Sequence, residues 1–172
     1  MLYNENEYLD KNEELKKILM ETCIRFSFLS KCAAKQVCCL LYKDGNIISI
    51  GVNGSIPGTI NCNDKFKKIN GIWHTRNYRD PNAEWIVCED QEVHHTWSSF
   101  NEVHAEVNAV TKALVSVEGS TAFITHSPCR DCAKLLAISG IRKIYYNIEY
   151  DDFYTIKEFL NSKGIELVRV AI

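Results

Sequence analysis

Apolar residues early in the chain repeat at helical spacing. Leu15, Ile18, Leu19, Thr22, Phe26 and Leu29 fall on one stripe, and the charges of Lys11, Glu13, Glu14, Lys16 and Lys17 cluster beside it. Residues 9–31 therefore read as one packing helix. The period then shortens, because residues 36–42 and 46–52 are β-rich runs separated by Lys43-Asp44-Gly45, a hairpin signal. Helical spacing returns in Val103, Val107, Val110 and Leu114, which predict a helix over 99–116 with His104 and Glu106 in its first turn. A strand at 121–125 follows, then a helix at 128–139 opened by Pro128 with Leu135, Leu136 and Ile138 on its core side, then a strand at 143–148. A helix at 151–162, ended by Lys163-Gly164, leads to a last strand at 165–171. The order is α-β-β-α-β-α-β-α-β. A helix of about a dozen residues between the last two strands permits a parallel crossover, where a two-residue turn would force an antiparallel hairpin.

Composition bounds this picture. With 172 residues, 46% of them hydrophobic, residues 1–172 are expected to form a single domain that buries its own core. The stretch at about 54–97 is too long for a structureless loop in a compact domain, so an ordered insert is expected there. The chain shows no apolar leader and no 18-residue apolar span, which points to a cytoplasmic protein away from membranes, with reduced thiols. Its eight cysteines then read as buried thiols or metal ligands and not as a disulfide framework. A net charge of −2 argues against a polynucleotide substrate, which demands a basic face, whereas a small nucleotide needs only a local pocket.

The chemistry concentrates in His104-Ala105-Glu106 and Pro128-Cys129-Arg130-Asp131-Cys132. His104, Cys129 and Cys132 make three metal ligands and Glu106 is left over to move protons, the set of a catalytic metal that keeps a position for water. Cys129 and Cys132, three apart, share one helix face, and a helix N-terminus favours the thiolates that zinc requires. A Cys-x-x-Cys alone also suits a redox pair or half a structural zinc site, and a lone His-x-Glu arises often by chance. Together and in this order they form the H-x-E…P-C-x-x-C signature of the zinc nucleobase deaminases.

Three further blocks, Ser30-Lys31-Cys32, Gly51-Val52-Asn53-Gly54-Ser55 and Trp97-Ser98-Ser99-Phe100-Asn101-Glu102, make the chain resemble the virus-encoded deoxycytidylate deaminases of the zinc-dependent cytidine deaminase superfamily. The resemblance implies a three-layer α-β-α fold around a five-stranded mixed sheet whose last two strands are parallel. It implies substrate contacts at Asn53, Ser55, Ser99, Asn101 and Tyr150, with Ala105 and Ser127 near the base edge. Asn53-Gly54 also reads as an ordinary turn, and Ser98-Ser99 as an N-cap region. His126 stands where the family commonly has leucine, and it is left outside the catalytic set. Within the insert, Cys62, His74, Cys88, His94 and His95 are ligand-type residues. The resemblance implies a second, structural zinc on Cys32, His94 and Glu102, its fourth ligand unassigned; the alternative is a hydrogen-bonded insert with scattered histidines.

The activity so implied is hydrolytic deamination of dCMP to dUMP and ammonia, supplying dUMP for thymidylate synthesis, with a zinc-activated water as nucleophile and Glu106 as its proton carrier. The resemblance further implies a homohexamer activated by dCTP and inhibited by dTTP, with Mg2+ accompanying the regulatory triphosphate. Two other readings stay open: a tRNA adenosine deaminase, which should show a basic RNA-facing surface, and a catalytically silent zinc-binding interaction protein, against which the intact Glu106 counts.

Overall fold

The computed structural model describes residues 5–150 and 152–172. The chain opens with α1 (Glu5–Lys11) and α2 (Glu13–Ser27), then β1 (Cys38–Lys43), β2 (Asn46–Val52) and the short β3 (Gly54–Ser55). The insert follows as α3 (Cys62–Lys65), β4 (Phe66–Ile69), β5 (Ile72–Thr75) and β6 (Ile86–Val87), leading to α4 (Val93–Asn101) and β7 (Glu102–Val103). The remainder runs α5 (Ala105–Lys112), β8 (Thr121–His126), α6 (Arg130–Ile138), β9 (Lys143–Ile148), α7 (Phe153–Ser162) and β10 (Glu166–Arg169).

One five-stranded sheet, in the order β10-β9-β8-β1-β2, forms the middle layer. β1 runs antiparallel to β2 and β8, whereas β8, β9 and β10 are mutually parallel, so the crossover expected from the helix between the last two strands is present. Strand alternation sends side chains to both faces. Cys38, Leu40, Tyr42, Phe123 and Tyr145 pack with Leu19, Met20 and Cys23 of α2. Cys39, Leu41, Ile124, Ile144 and Tyr146 pack on the opposite face with α5, α6 and α7 through Ala105, Ala109, Leu136, Ile156 and Leu160. A sheet covered on both faces needs near-continuous apolar strands, which is why Cys38 to Tyr42 are all buried. Each fully buried leucine, isoleucine or phenylalanine here contributes roughly 1.5–3 kcal/mol.

Several boundaries differ from the sequence pattern. The N-terminal helix is two helices, because the Asn12 side chain accepts the Leu15 N–H at 3.0 Å and starts α2 afresh as its N-cap. The buried face of α2 runs through Lys16, Leu19, Met20, Cys23 and Ser27, so Ile18, Phe26 and Leu29 of the predicted stripe are exposed. The helix expected over 99–116 is broken at Glu102–Val103, where β7 pairs with β3, a contact across the whole insert that local periodicity does not carry. Leu114 of the predicted stripe lies beyond the end of α5 and is exposed. The expected start of the last helix at Asp151 lies outside the described residues.

The insert is ordered by its own antiparallel sheet, β4-β5-β6, whose first hairpin turns at Asn70-Gly71, both with positive φ. Phe66, Trp73, Cys62 and Cys88 form a separate small core against Cys32, Ala33, Val93 and Trp97.

Helix α5 lies unusually close to the sheet. Ser49 Oγ donates to the Ala109 carbonyl at 2.7 Å, and Asn108 Nδ2 donates to the Val52 carbonyl at 2.8 Å. At Gly51 any Cβ would collide with the Ala105 carbonyl oxygen and the Ala109 backbone nitrogen. Backbone cannot rotate away as a side chain can, so Gly51→Ala is expected to cost at least about 3 kcal/mol. For a chain of this size that corresponds to a fall in Tm of roughly 6–12 °C. The shift would also displace the helix start that carries Glu106. Thermal unfolding beside an activity assay checks both, and a Tm within 2 °C of the parent would show that the gap between β2 and α5 is looser than these atoms indicate.

Candidate active site

Two strand-to-helix junctions meet at one point. His104 is the N-cap of α5 and Cys129 the N-cap of α6; both have extended backbone (φ −68°, ψ 153° and φ −72°, ψ 172°), and neither uses its side chain to cap. Helix α6 begins two residues after Pro128, so Cys129 caps it and Cys132 lies in its first turn. The His104 Nδ1 lies 3.5 Å from Cys129 Sγ and 3.3 Å from Cys132 Sγ. The three donor atoms lie within 4.8 Å of one another. The junction after β8 is held by Ser127, whose N–H donates to the Ile148 carbonyl and whose Oγ accepts the Tyr150 N–H, each at 2.8 Å.

Charge at this junction is crowded. The Cys132 thiol hydrogen-bonds Cys129 and holds it down to about 4, while Cys132 itself is pushed up by that same contact. The Cys129 sulfur in turn raises His104 to about 9. Beside them Glu106 is 4% exposed, and burial raises its carboxyl above the ordinary carboxylate range. Two sulfurs and an imidazole nitrogen gathered within 4.8 Å are a donor set a zinc ion fits, since zinc takes Cys and His in tetrahedral geometry. A fourth direction remains for a small molecule, because His104 and Cys129 line a cavity of about 210 Å³ together with Glu106 and Ala105.

A second donor cluster forms part of the same cavity wall. Cys32 Sγ lies 3.3 Å from Glu102 Oε2, and Cys62 Sγ lies 3.2 Å from His94 Nε2. All four donor atoms lie within 4.8 Å of one another. The Trp73 ring stacks on the His94 imidazole at 4.1 Å, and Phe66 meets it edge-on at 5.5 Å, so the insert's core fixes the ring. Glu102 Oε1 is buried with no hydrogen-bond partner, and burial beside Cys32 raises the carboxyl to about 8. An orphaned carboxylate oxygen facing two sulfurs and an imidazole is what a bound cation would satisfy. Cys62 fills the position that sequence reasoning left unassigned. It stands 32 residues from His94 and 70 residues separate Cys32 from Glu102, so no spacing rule links the four.

Of the remaining sequence candidates, Asn53, Ala105, Ser127 and Tyr150 line the cavity, whereas Ser55, Ser99 and Asn101 do not. Helix α4 presents His94, His95 and Ser98 to the cavity, which turns Ser99 onto another face, where its hydroxyl donates to the Thr96 carbonyl. The Asn101 amide donates to the Trp97 carbonyl at 2.8 Å, and Ser55 sits in the β3–β7 pairing. His126, singled out in the sequence as a departure from the family's usual leucine but left outside the catalytic set, lines the cavity, and so does Lys35, which nothing in its local sequence marks.

Comparison with known proteins agrees with this geometry. Residues 13–148 match the family model described as cytidine and deoxycytidylate deaminase zinc-binding region. The deoxycytidylate deaminase of Enterobacteria phage T2 is 38% identical over 160 residues, covering 82% of this chain and 84% of the relative. That of phage T4 is 35% identical over 158 residues, covering 82% of each. The crystal structure of the cyanophage S-TIM5 dCMP deaminase in complex with dCMP and dUMP superposes with a TM-score of 0.66 at 30% identity, covering 91% of this chain and 97% of that one. The sheet order, the paired helix starts and these matches have one explanation: the chain belongs to the zinc-binding cytidine and deoxycytidylate deaminase family, alongside its phage deoxycytidylate deaminases, and is a hydrolase of that kind.

Proposed function

We propose that the chain converts dCMP to dUMP and ammonia, with His104, Cys129 and Cys132 holding zinc and Glu106 carrying protons. The convergence of three N/S donors and a buried, protonatable carboxylate on one small cavity carries this reading. A zinc ion there supplies Lewis acidity that brings a water's pKa to about 7. Glu106 takes a proton from the attacking water as its oxygen bonds to C4 of the cytosine. It passes that proton to N3, then takes the second proton of the water from the new C4 hydroxyl and hands it to the amine, whose bond to C4 breaks to release ammonia as the C4 carbonyl forms. Burial raises the Glu106 carboxyl, so it holds a proton more readily than an exposed carboxylate does, which suits a group that takes one up and passes it on. Asn53, Ala105, Ser127 and Tyr150 surround the nucleotide.

Cys32, Cys62, His94 and Glu102 are proposed to hold a second, structural zinc that ties the insert to the main sheet. Assembly as a homohexamer, activated by dCTP and inhibited by dTTP with Mg2+ on the triphosphate, belongs to the same reading. Leu114, Phe100 and Ile138, exposed by 98%, 84% and 84%, support burial of these surfaces between copies. No described helix is long and apolar enough to cross a membrane.

Deoxycytidine is expected to lose at least tenfold in kcat/KM relative to dCMP, because a hydrogen bond to a charged phosphate contributes roughly 1.5–3 kcal/mol and 1.4 kcal/mol is one decade. Ammonia release from dCMP, CMP, dCTP and deoxycytidine, each with and without dCTP or dTTP, checks substrate and regulators together. Activity on an anticodon stem-loop and none on dCMP would favour the tRNA reading.

A further inference from the structure

A phosphate entering the cavity needs a cation, and the polar residues singled out by sequence do not provide one. Asn53 is committed to backbone: its Oδ1 accepts the Val37 N–H at 2.8 Å and its Nδ2 donates to the Lys35 carbonyl at 2.9 Å. It therefore acts as a clamp on the segment that carries Lys35. Among the described lining residues Lys35 is the lone lysine or arginine. Its ammonium sits 3.8 Å from the centroid of the Tyr150 ring, and none of the described ion pairs includes it. A cation–π contact holds the charge in place and leaves its N–H donors to an anion.

His126 stands on the same wall. Lys35, His126 and Ala34 also line a neighbouring cavity of about 340 Å³, so both side chains form a partition with open space on each side. The His126 Nδ1 lies 3.3 Å from Thr125 Oγ1, and that oxygen already accepts the Cys38 N–H at 3.1 Å. With the Thr125 hydroxyl donating to Nδ1, the ring carries its proton on Nε2, a donor that an anion can use. Burial and the charge of Lys35 both lower the His126 pKa, so a neutral imidazole waits beside a fixed ammonium until an anion arrives.

We propose that Lys35 and His126 form the phosphate corner of the substrate cavity and set the preference for a nucleoside monophosphate over a nucleoside, with Asn53 and Tyr150 as positioning residues. The inference rests on the dCMP reading, and it assigns the charge recognition to residues on β1's approach and β8's end instead of the Gly51–Ser55 loop and α4. Lys supplies a point charge, and the imidazole adds a directional donor.

The test is the ratio of kcat/KM on dCMP to that on deoxycytidine, measured for the full chain with its metal. Lys35→Met, which keeps the apolar stem over Tyr150, is expected to lower that ratio at least tenfold. Lys35→Arg should retain most of it. His126→Leu should lower it several-fold on its own, and the double variant should bring it close to one. A merely structural role would depress both substrates together and leave the ratio unchanged. A Lys35→Met protein, or a His126→Leu protein if the first does not fold, that keeps the parental ratio overturns the assignment. A parent that shows no preference for dCMP overturns the underlying substrate reading instead.

Discussion

Glu106→Gln lowers kcat on dCMP by about 10³–10⁴-fold while the protein keeps its fold and its zinc. The magnitude follows from the several transfers assigned to one side chain: it carries one proton of the attacking water to N3 and the other, from the C4 hydroxyl so formed, to the leaving amine. The amide matches the carboxyl in size and keeps one hydrogen-bond acceptor, so the cavity is not reshaped. Glu106 is almost fully buried and its carboxyl is raised by desolvation, so an uncharged replacement removes a cost instead of adding one. Tm should therefore hold or rise. The zinc content should stay at the parental value, because Glu106 lies outside the donor set of His104, Cys129 and Cys132. His104→Ala, by contrast, should lose that zinc together with activity, since two sulfurs alone make a poor site. Turnover by Glu106→Gln within tenfold of the parent would remove this carboxylate from the mechanism.

The second large effect is expected at the other cluster. The purified chain should contain about two zinc ions, and Cys62→Ala should reduce this to one, with a fall in Tm above about 10 °C. Structural zinc sites contribute on the order of 10–16 kcal/mol in small domains, against a total folding stability of about 5–15 kcal/mol. Losing even part of that term releases the insert, whose own core is a few residues around Phe66 and Trp73. Limited proteolysis should then cut within residues 56–92 first. Cys88→Ala is the matched control: Cys88 is buried in the same small core but lies outside the donor set, so it should lose only the packing of a small side chain and keep both metals. One zinc per chain in the parent, unaltered by Cys62→Ala, would sink the second site and leave the catalytic one standing.

Much of the fold was legible in the chain. The strand at Lys143–Ile148 and the hairpin arm at Asn46–Val52 fall where their composition and the Asp44-Gly45 turn place them, because β-branched and aromatic runs bounded by turn residues are a local signal. The length of α7 predicted that β9 and β10 run parallel, since chain length limits how a connection can return. The family and its catalytic motif were legible for a similar reason: His104 and Glu106 are two residues apart and Cys129 and Cys132 three, so each pair's geometry is local to one helix start.

What failed was non-local. The break between α4 and α5 comes from pairing of Glu102–Val103 with Gly54–Ser55, and no window of neighbouring residues contains both. Ile18 and Phe26 fit the helical period of α2 as well as Met20 and Cys23 do, and only docking against Cys38, Leu40 and Phe123 selected which side is buried. Ser99 was adjacent in sequence to a cavity residue and sits on the wrong face, because one position along a helix is a rotation of about 100°. The sequence by itself determined what lies within a turn or two of helix: the grouping of His104 with Glu106 and of Cys129 with Cys132, and the strands that lead to them. Only the tertiary structure decided the fourth member of the second cluster, Cys62, and the placing of Lys35 and His126 on one wall. Those residues meet across separations set by sheet pairing and insert packing, and the energy of such contacts is absent from any local pattern.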